Sequence, residues 1–159
     1  MAALYRANVR AARAFAVALT GDPDLAEDVV HDTFIRCASR RHALRDPAAF
    51  QTYLLRAVIH TVNSHHRRRR LERRHLARLA GEPPRIGSPE PGTDDRDALL
   101  AALRSLPVGQ RTAVAARYLL DWSEAQIADA LGCRVGTVKS QISRGLTRLR
   151  IAYAERRES

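Results

Sequence analysis

The sequence has few aromatic residues, a single tryptophan and no long apolar run. At 5% aromatic content, it lacks the stacking platforms on which strand-coating RNA- or DNA-binding proteins hold successive bases. No stretch approaches the roughly 20 apolar residues that cross a bilayer, and the start has no signal-peptide pattern. We therefore expect a soluble cytoplasmic protein with no membrane partner.

Residues that carry catalytic or metal chemistry are equally sparse. Cys37 and Cys133 lie far apart, without metal-ligand spacing around either, and are expected to be reduced, partly buried thiols. His65 and His66 are adjacent, so on a helix they point in different directions and do not predict a metal site. No nucleophile–base pair or glycine-rich loop accompanies them, and the sequence therefore predicts no enzyme, no metal and no cofactor.

Charge is the strongest compositional feature. The chain has 27 basic and 17 acidic residues, a formal net charge of +10, and Lys139 is the one lysine among the 27, which leaves 26 arginines. Arginine favours bidentate contacts to phosphate and guanine. A functionally neutral surface would have its basic residues spread evenly along the chain. Here they are clustered, so a polyanion is the leading class of partner.

Residues 123–150 predict two helices joined by a tight turn. Ser123 and Gln126 have the spacing of a capping box, and Gly132 suits the left-handed position just past a helix end. In the second helix, Val138 and Ile142 begin an apolar stripe that Leu146 and Leu149 continue. This pattern is typical of a helix-turn-helix whose second helix enters a major groove.

The other face of that second helix carries short hydrogen-bonding side chains, flanked by cations, and no large apolar residue. These residues are Thr137, Lys139, Ser140, Ser143, Arg144, Thr147 and Arg148.

An acidic stripe lies in the N-terminal half. Asp22 and Pro23 predict a helix start, and Asp24, Asp28 and Asp32 then recur every four residues, opposite an apolar face. Glu27 and His31 lie alongside. From spacing alone, a solvated face helped by the helix dipole and a docking face for a basic partner are equally good interpretations.

The remaining pattern is helical, with two interruptions. A basic break at 40–45 precedes a long helix starting at Asp46-Pro47, and Arg67 to Arg70 cover every side of its far end, as in a segment that neutralises phosphates. Residues 81–96 contain four of the seven prolines and read as an extended, poorly ordered linker. The predicted fold is all-α: a helical domain at 1–79, a linker at 80–97 and a helix-turn-helix domain at 98–159.

Three segments together resemble the extracytoplasmic-function (ECF) group of bacterial RNA polymerase sigma factors. LTGDPDLAEDVVHDTFIR looks like region 2.2, and DPAAFQTYLLRAVIHTVNSHHRRRR looks like the helix that closes region 2. LPVGQRTAVAARYLLDWSEAQIADALGCRVGTVKSQISRGLTRLR is similar to region 4. The resemblance covers nearly the whole chain, and its last segment is the most specific.

The resemblance implies a function and assigns residues to it. A sigma factor binds core RNA polymerase and directs promoter recognition and transcription initiation. Asp28, His31 and Asp32 would dock on the clamp helices of the polymerase β′ subunit. Residues of the break and of the long helix would handle the −10 element, namely Arg40, Arg41, Arg45, His60, Arg67 and Arg68.

In the second predicted domain, the resemblance assigns the helix-turn-helix to the −35 element. Arg144 and Ser140 are our candidates for base edges, with Lys139 and Arg148 on phosphates and Thr137 and Ser143 on the same surface. An anti-sigma factor is a further partner that the resemblance suggests.

Some positions depart from the family pattern. His31 and His60 replace a usual glutamine and asparagine, and Arg134 replaces the usual serine at the N-cap of the recognition helix. The alternative function is a helix-turn-helix transcriptional regulator that is not a polymerase subunit. Such a regulator would need a ligand pocket, phospho-acceptor or dimer interface in its N-terminal half, where this sequence has an acidic helix and an arginine-rich one.

Overall fold

The computed structural model describes residues 2–40, 46–81 and 95–158, and the described residues form seven helices and no strand. The N-terminal half contains α1 (Ala2–Thr20), α2 (Pro23–Ala38) and α3 (Pro47–Ala80). The C-terminal half contains α4 (Asp95–Ser105), α5 (Val108–Leu119), α6 (Glu124–Leu131) and α7 (Val135–Arg157). The all-α prediction is confirmed. Residues 82–94 of the predicted linker at 80–97 lie outside the described residues, so the division into domains stays a prediction.

The helix starts follow the predicted capping chemistry. The Asp22 carboxylate accepts hydrogen bonds from the backbone N–H groups of Asp24 and Leu25, and Pro23 occupies the first turn of α2. Asp46 caps α3 in the same way, accepting from the N–H of Ala48 at 3.1 Å. Each device satisfies backbone donors that have no partner inside the helix.

One apolar core runs through both halves. Helix α1 packs on α2 and α3 along one side and on α4 and α5 along another. Phe15 on α1, Phe50 on α3 and Val114 on α5 are all buried in the same cluster. Trp122, which precedes the Ser123 cap, is 6% exposed and belongs to the same cluster.

Apolar spacing alone does not decide which residues of the C-terminal half are buried. On α5, Val114 is buried whereas Tyr118 is 62% exposed, and on α4, Leu103 is buried whereas Leu99 is 42% exposed. Tyr118 lies in the last turn of α5, past the stretch of that helix that its neighbours enclose. In α4 the small residues Ala98, Ala101 and Ala102 face the core instead.

No helix in the described ranges is long and apolar enough to cross a membrane. Within the same ranges, no group of three or more histidine, cysteine, aspartate or glutamate side chains is arranged to hold a metal ion.

Candidate functional site

The helix-turn-helix of α6 and α7 forms through the predicted cap. The Ser123 hydroxyl accepts from the N–H of Gln126 at 3.1 Å, and the N–H of Ser123 donates to Gln126 Oε1 at 2.8 Å. Gly132 follows α6 with φ of 65°, a conformation that costs other residues free energy. After this reversal, α7 packs on α4, α5 and α6, and one side of α7 faces outward.

The outward side of α7 is the predicted face. Val138 is fully buried, and Ile142 and Leu146 pack against the core. The six residues of α7 that are predicted to contact the −35 element are all exposed: Thr137, Lys139, Ser140, Ser143, Arg144 and Arg148. The sequence pattern therefore identified a continuous solvent-facing surface of polar and cationic groups.

The cations of this face differ in their surroundings. Lys139 Nζ lies 3.7 Å from Glu124 Oε2, which holds it toward the start of α6 at one flank of the face. Arg144 and Arg148 make no ion pair with any described residue. Arg144 shares the line of Thr137 and Ser140 along the helix, since positions three, four and seven apart lie on one face.

The N-terminus of α7 has no side-chain cap. Arg134 occupies the N-cap position, and its side chain accepts no hydrogen bond from the first turn. Free N–H groups and the positive end of the helix dipole therefore face solvent beside the exposed face. Such an end favours a phosphate.

The acidic stripe on α2 is exposed as well. Asp28, His31 and Asp32 are all solvent-facing, while Val29, Val30 and Thr33 on the other side are buried. An edge-on contact between the rings of His31 and Tyr5, with centroids 6.4 Å apart, ties the stripe to α1. Nothing in the described residues covers this surface.

The candidate −10 residues are distributed over two clefts between α2 and α3. His60 lines both clefts. Arg40 lies with it in a cleft of about 580 Å³, whereas Arg68 lies with it in the other, beside Asp28 and Asp32. Arg67 is exposed and lines neither of these clefts. Arg41 and Arg45 fall outside the described residues.

The cleft that contains Arg40 also contains groups that sequence reasoning missed. Tyr53 and Arg56 line it, and Arg36 reaches across it to donate to Thr61 Oγ1 at 3.0 Å. Burial raises the pKa of the Cys37 thiol in its wall, while the nearby charges of Arg36 and Arg40 partly oppose that effect. Tyr53, Arg56 and His60 recur at helical spacing, which was the available sequence signal.

Comparison with known proteins identifies the family. The sigma-70 region 2 model matches residues 4–72, and the sigma-70, region 4 model matches residues 96–149. The ECF RNA polymerase sigma factor SigL of Mycobacterium tuberculosis is 34% identical over 165 residues, covering 98% of this chain and 89% of the relative. The chain belongs to the ECF family of RNA polymerase sigma factors. Its function is therefore to bind core RNA polymerase and to direct promoter recognition and transcription initiation.

Two further relatives agree with this assignment. This sigma factor is 33% identical to the RNA polymerase sigma-E factor of Streptomyces coelicolor, over 83% of its own length and 73% of the relative. Among solved structures, it resembles the sigma factor RpoE in complex with the anti-sigma factor NepR from Bartonella quintana. The TM-score is 0.71 at 26% identity, covering 93% of this chain and 92% of the other.

Proposed function

We propose that this sigma factor divides promoter recognition between its two halves, with polymerase docking on α2, −10 recognition between α2 and α3, and −35 recognition on α7. The observation that carries the proposal is the placement of an acidic face and a polar, cationic helix face, both exposed, on opposite halves of one chain. A regulator that is not a polymerase subunit would have no use for the first of these faces.

Docking on core polymerase is assigned to Asp28, His31 and Asp32, and the β′ clamp helices are the proposed partner. The support is their exposure on one side of a helix whose other side is firmly packed. A rigid acidic face on a chain of net charge +10 suits a basic protein surface rather than DNA. Complementary charge at such a contact speeds association and selects the partner.

Recognition of the −10 element is assigned to the cleft between α2 and α3, together with Arg41, Arg45, Arg67 and Arg68. The cleft that holds Arg40 and His60 is large enough for an unstacked base and carries both an aromatic ring, Tyr53, and a cation, Arg56. Holding a base outside the duplex costs a few kcal/mol, which stacking and hydrogen bonds in such a pocket offset.

Recognition of the −35 element is assigned to α7. Arg144 and Ser140 are proposed to read base edges, while Lys139 and Arg148 bind flanking phosphates and Thr137 and Ser143 complete the surface. An arginine–guanine pair discriminates by about 1–3 kcal/mol. The Lys139–Glu124 ion pair is exposed, and exposed pairs contribute little, so phosphate can displace Glu124.

The partners follow from these assignments. The protein acts without cofactor or catalysis, in the cytoplasm where polymerase and chromosome are found. An anti-sigma factor is a further proposed partner, supported by the NepR-bound state of the similar Bartonella quintana protein.

Run-off transcription tests the division of labour. Purified core polymerase plus this protein is expected to initiate at a defined site on promoters from its own host, while neither component does so alone. Arg144→Ala should lose selectivity, with similar activity on intact and altered −35 sequences. Lys139→Ala should instead weaken binding on all sequences and reduce the dependence of affinity on salt.

Lys139→Ala thus serves as the matched control for Arg144→Ala, because both remove one cation from α7. Equal proportional losses on intact and altered −35 sites for Arg144→Ala would refute its base-reading role. No product on any host promoter would refute the proposed division as a whole.

A further inference from the structure

Arg36, in the last turn of α2, is held in one orientation by three oxygen atoms of the protein. Its Nη2 group donates to Thr61 Oγ1 at 3.0 Å and to Thr33 Oγ1 at 3.4 Å, and its Nε–H donates to the Asp32 carbonyl at 3.4 Å. An arginine on a surface ordinarily samples many rotamers. Here the side chain is fixed across the gap between α2 and α3 by the fold itself.

The hydroxyl of Thr61 is fully used in this arrangement. A threonine hydroxyl can donate one hydrogen bond and accept two. The Thr61 hydroxyl donates to the Ala57 carbonyl at 2.9 Å, so its oxygen accepts from Arg36 and from the Thr33 hydroxyl, which lies 3.3 Å away. Thr33 is itself buried, with 1% of its surface exposed. The orientation of Arg36 is therefore set by groups that belong to the packed interior of the α2–α3 pair.

The remaining edge of the Arg36 guanidinium is available to a ligand. A guanidinium has five N–H donors, and the Nη1 group of Arg36 forms no hydrogen bond with any described residue. Within the part of the chain that the structure describes, Arg36 also forms no ion pair. A free guanidinium edge of this kind matches the oxygen atoms of a phosphate.

Arg36 lines both of the clefts between α2 and α3, and the two differ in charge. One cleft, called the mixed cleft below, contains the carboxylates of Asp28 and Asp32 beside Arg68. The other, called the basic cleft, is the cleft of about 580 Å³ that contains Arg40, and no aspartate or glutamate is among the described residues that line it. Because carboxylates repel an anion, a phosphate bound to Arg36 is favoured on the side of the basic cleft.

Among the three arginines of the basic cleft, Arg36 is the best prepared to bind a phosphate. Arg56 already forms a salt bridge with Asp129, which weakens its attraction for a second anion. Arg40 is exposed and lies beyond the last residue of α2. Ordering a long side chain on binding costs free energy, and for Arg36 the hydrogen bonds to Thr61 and Thr33 have already ordered it.

The basic cleft also contains an aromatic ring, that of Tyr53 on α3. Aromatic rings stack on unpaired bases of any identity. A nucleotide of a single strand therefore offers both groups that this cleft can bind, a flat base for Tyr53 and a phosphate for Arg36. In duplex DNA the bases remain stacked on one another, so the combination favours a displaced strand.

We propose that Arg36 binds one backbone phosphate of the displaced −10 strand, and that Thr61 and Thr33 are positioning residues that orient its guanidinium for this contact. The inference deepens the −10 assignment and rests on it. A phosphate contact fixes where the strand lies in the cleft but carries no sequence information. Loss of Arg36 is therefore expected to lower the affinity for intact and altered −10 sequences by similar factors.

Single-stranded oligonucleotides test the contact on the holoenzyme, formed from core polymerase and the full chain. Each oligonucleotide has the −10 sequence of a promoter found by run-off transcription, with one phosphate replaced by an uncharged methylphosphonate. Replacement of one particular phosphate should weaken binding roughly tenfold, as loss of a charge-assisted hydrogen bond would, and should have no further effect in Arg36→Gln. That variant should also reduce the slope of log affinity against log salt by about 0.7, the value for one phosphate of a single strand.

Two further variants separate the phosphate contact from a general effect of charge. Arg6→Gln is the matched control, because it removes the same charge at an exposed site on α1 that lines neither cleft. It should keep the tenfold effect and the salt slope. Arg36→Lys retains the charge but lacks the planar fork of a guanidinium, so it should keep the salt slope while its affinity stays reduced.

Thr61→Val tests the positioning role, because valine has the shape of threonine without the hydroxyl group. We expect about threefold weaker binding of the oligonucleotide, since Arg36 must then be ordered when the strand binds. In an Arg36→Gln background the same substitution should cost nothing, because no guanidinium remains to be positioned. Thr52→Val is the matched control: Thr52 is a partly exposed residue of α3 that lines neither cleft, and its replacement should leave binding unchanged.

Methylphosphonate effects that are the same in Arg36→Gln and in the unaltered protein would overturn the phosphate contact. Equal losses from Thr61→Val with and without Arg36 would overturn the positioning role, since a merely structural residue acts in both backgrounds. If the holoenzyme still prefers the −10 sequence to a scrambled one, either result overturns this inference alone and the proposed function stands. A holoenzyme without that preference would refute the −10 assignment and the phosphate contact together.

Discussion

At the end of α1, three side chains lie against backbone carbonyl oxygens: Arg111 and His66 at Leu19, and Arg104 at Gly21. His66 Nε2 lies 3.3 Å from the Leu19 carbonyl, which also accepts from Arg111. Burial is the main cause that lowers the pKa of His66, and the charges of Arg111, His65 and Arg69 lower it further, while the Leu19 hydrogen bond opposes them. The folded protein therefore favours the neutral imidazole.

We expect the protein to lose stability as pH falls from about 7 through the ordinary histidine pKa of about 6.5. Because the pKa of His66 is lowered in the folded state, the unfolded chain takes up the proton first. The free energy of unfolding then decreases until the pH passes the folded-state pKa. His66→Gln keeps an N–H donor for Leu19 without titrating, so its urea midpoint should depend less on pH.

Comparing His66→Gln with the unaltered protein separates the contribution of His66 from that of the other titrating groups. If the urea midpoints of both proteins change equally with pH between about 7 and 5, the lowered pKa of His66 is contradicted.

At the scale of elements, α2 is a rigid support for its acidic face. The Asp22 cap and Pro23 define where the helix begins, and its buried side packs on α1 and α3. Charge reversal on the exposed side should therefore leave the helix in place, since exposed substitutions away from structural features usually change stability by less than about 0.5 kcal/mol.

Asp28→Arg combined with Asp32→Arg is expected to abolish co-purification with core polymerase while leaving the far-ultraviolet circular dichroism spectrum unchanged. The physical reason is that two attractive charges become repulsive toward a basic surface.

Glu72→Arg combined with Asp97→Arg is the matched control, because it makes the same change in net charge at exposed positions on α3 and α4. It should retain polymerase. Equal retention by both double variants would remove α2 from the docking assignment, and equal loss would indicate that net charge, rather than this face, governs binding.

The whole molecule is built around α1, which contacts elements of both halves. Phe15 is fully buried on this helix, and the core to which it belongs extends to Val114 and Trp122 in the C-terminal half. Shared burial of this kind couples the unfolding of the two halves for as long as they stay in contact.

Phe15→Ala is expected to lower the free energy of unfolding by about 3–5 kcal/mol, the usual cost of removing a buried phenylalanine. Trp122 is the one tryptophan of the chain and lies in the C-terminal half, so its fluorescence follows that half. Coupled halves require the midpoints by fluorescence and by circular dichroism to fall together.

If Phe15→Ala is too unstable to purify, Phe15→Leu gives the same test with a smaller loss in the free energy of unfolding. A Trp122 midpoint that stays fixed while the circular dichroism midpoint falls would show that the halves unfold independently.

The features that the sequence alone could predict depend on residues close together along the chain. Asp22, Asp46, Ser123 and Gly132 act on backbone groups within four residues, and apolar periodicity over α7 identifies its outward face without knowledge of its neighbours. The helices, their starts and the exposed faces were therefore readable, as was the family through its longest motifs.

The tertiary structure alone decided which arginines serve the fold. Arg111 and Arg144 are the same residue type on amphipathic helices, yet one is buried against carbonyl oxygens of α1 and the other faces solvent. The difference depends on which helix lies alongside, and contacts between residues 92 positions apart, such as Arg111 and Leu19, leave no periodic trace. For the same reason, apolar spacing does not reveal that Tyr118 and Leu99 are exposed, nor that α1 packs on helices of both halves.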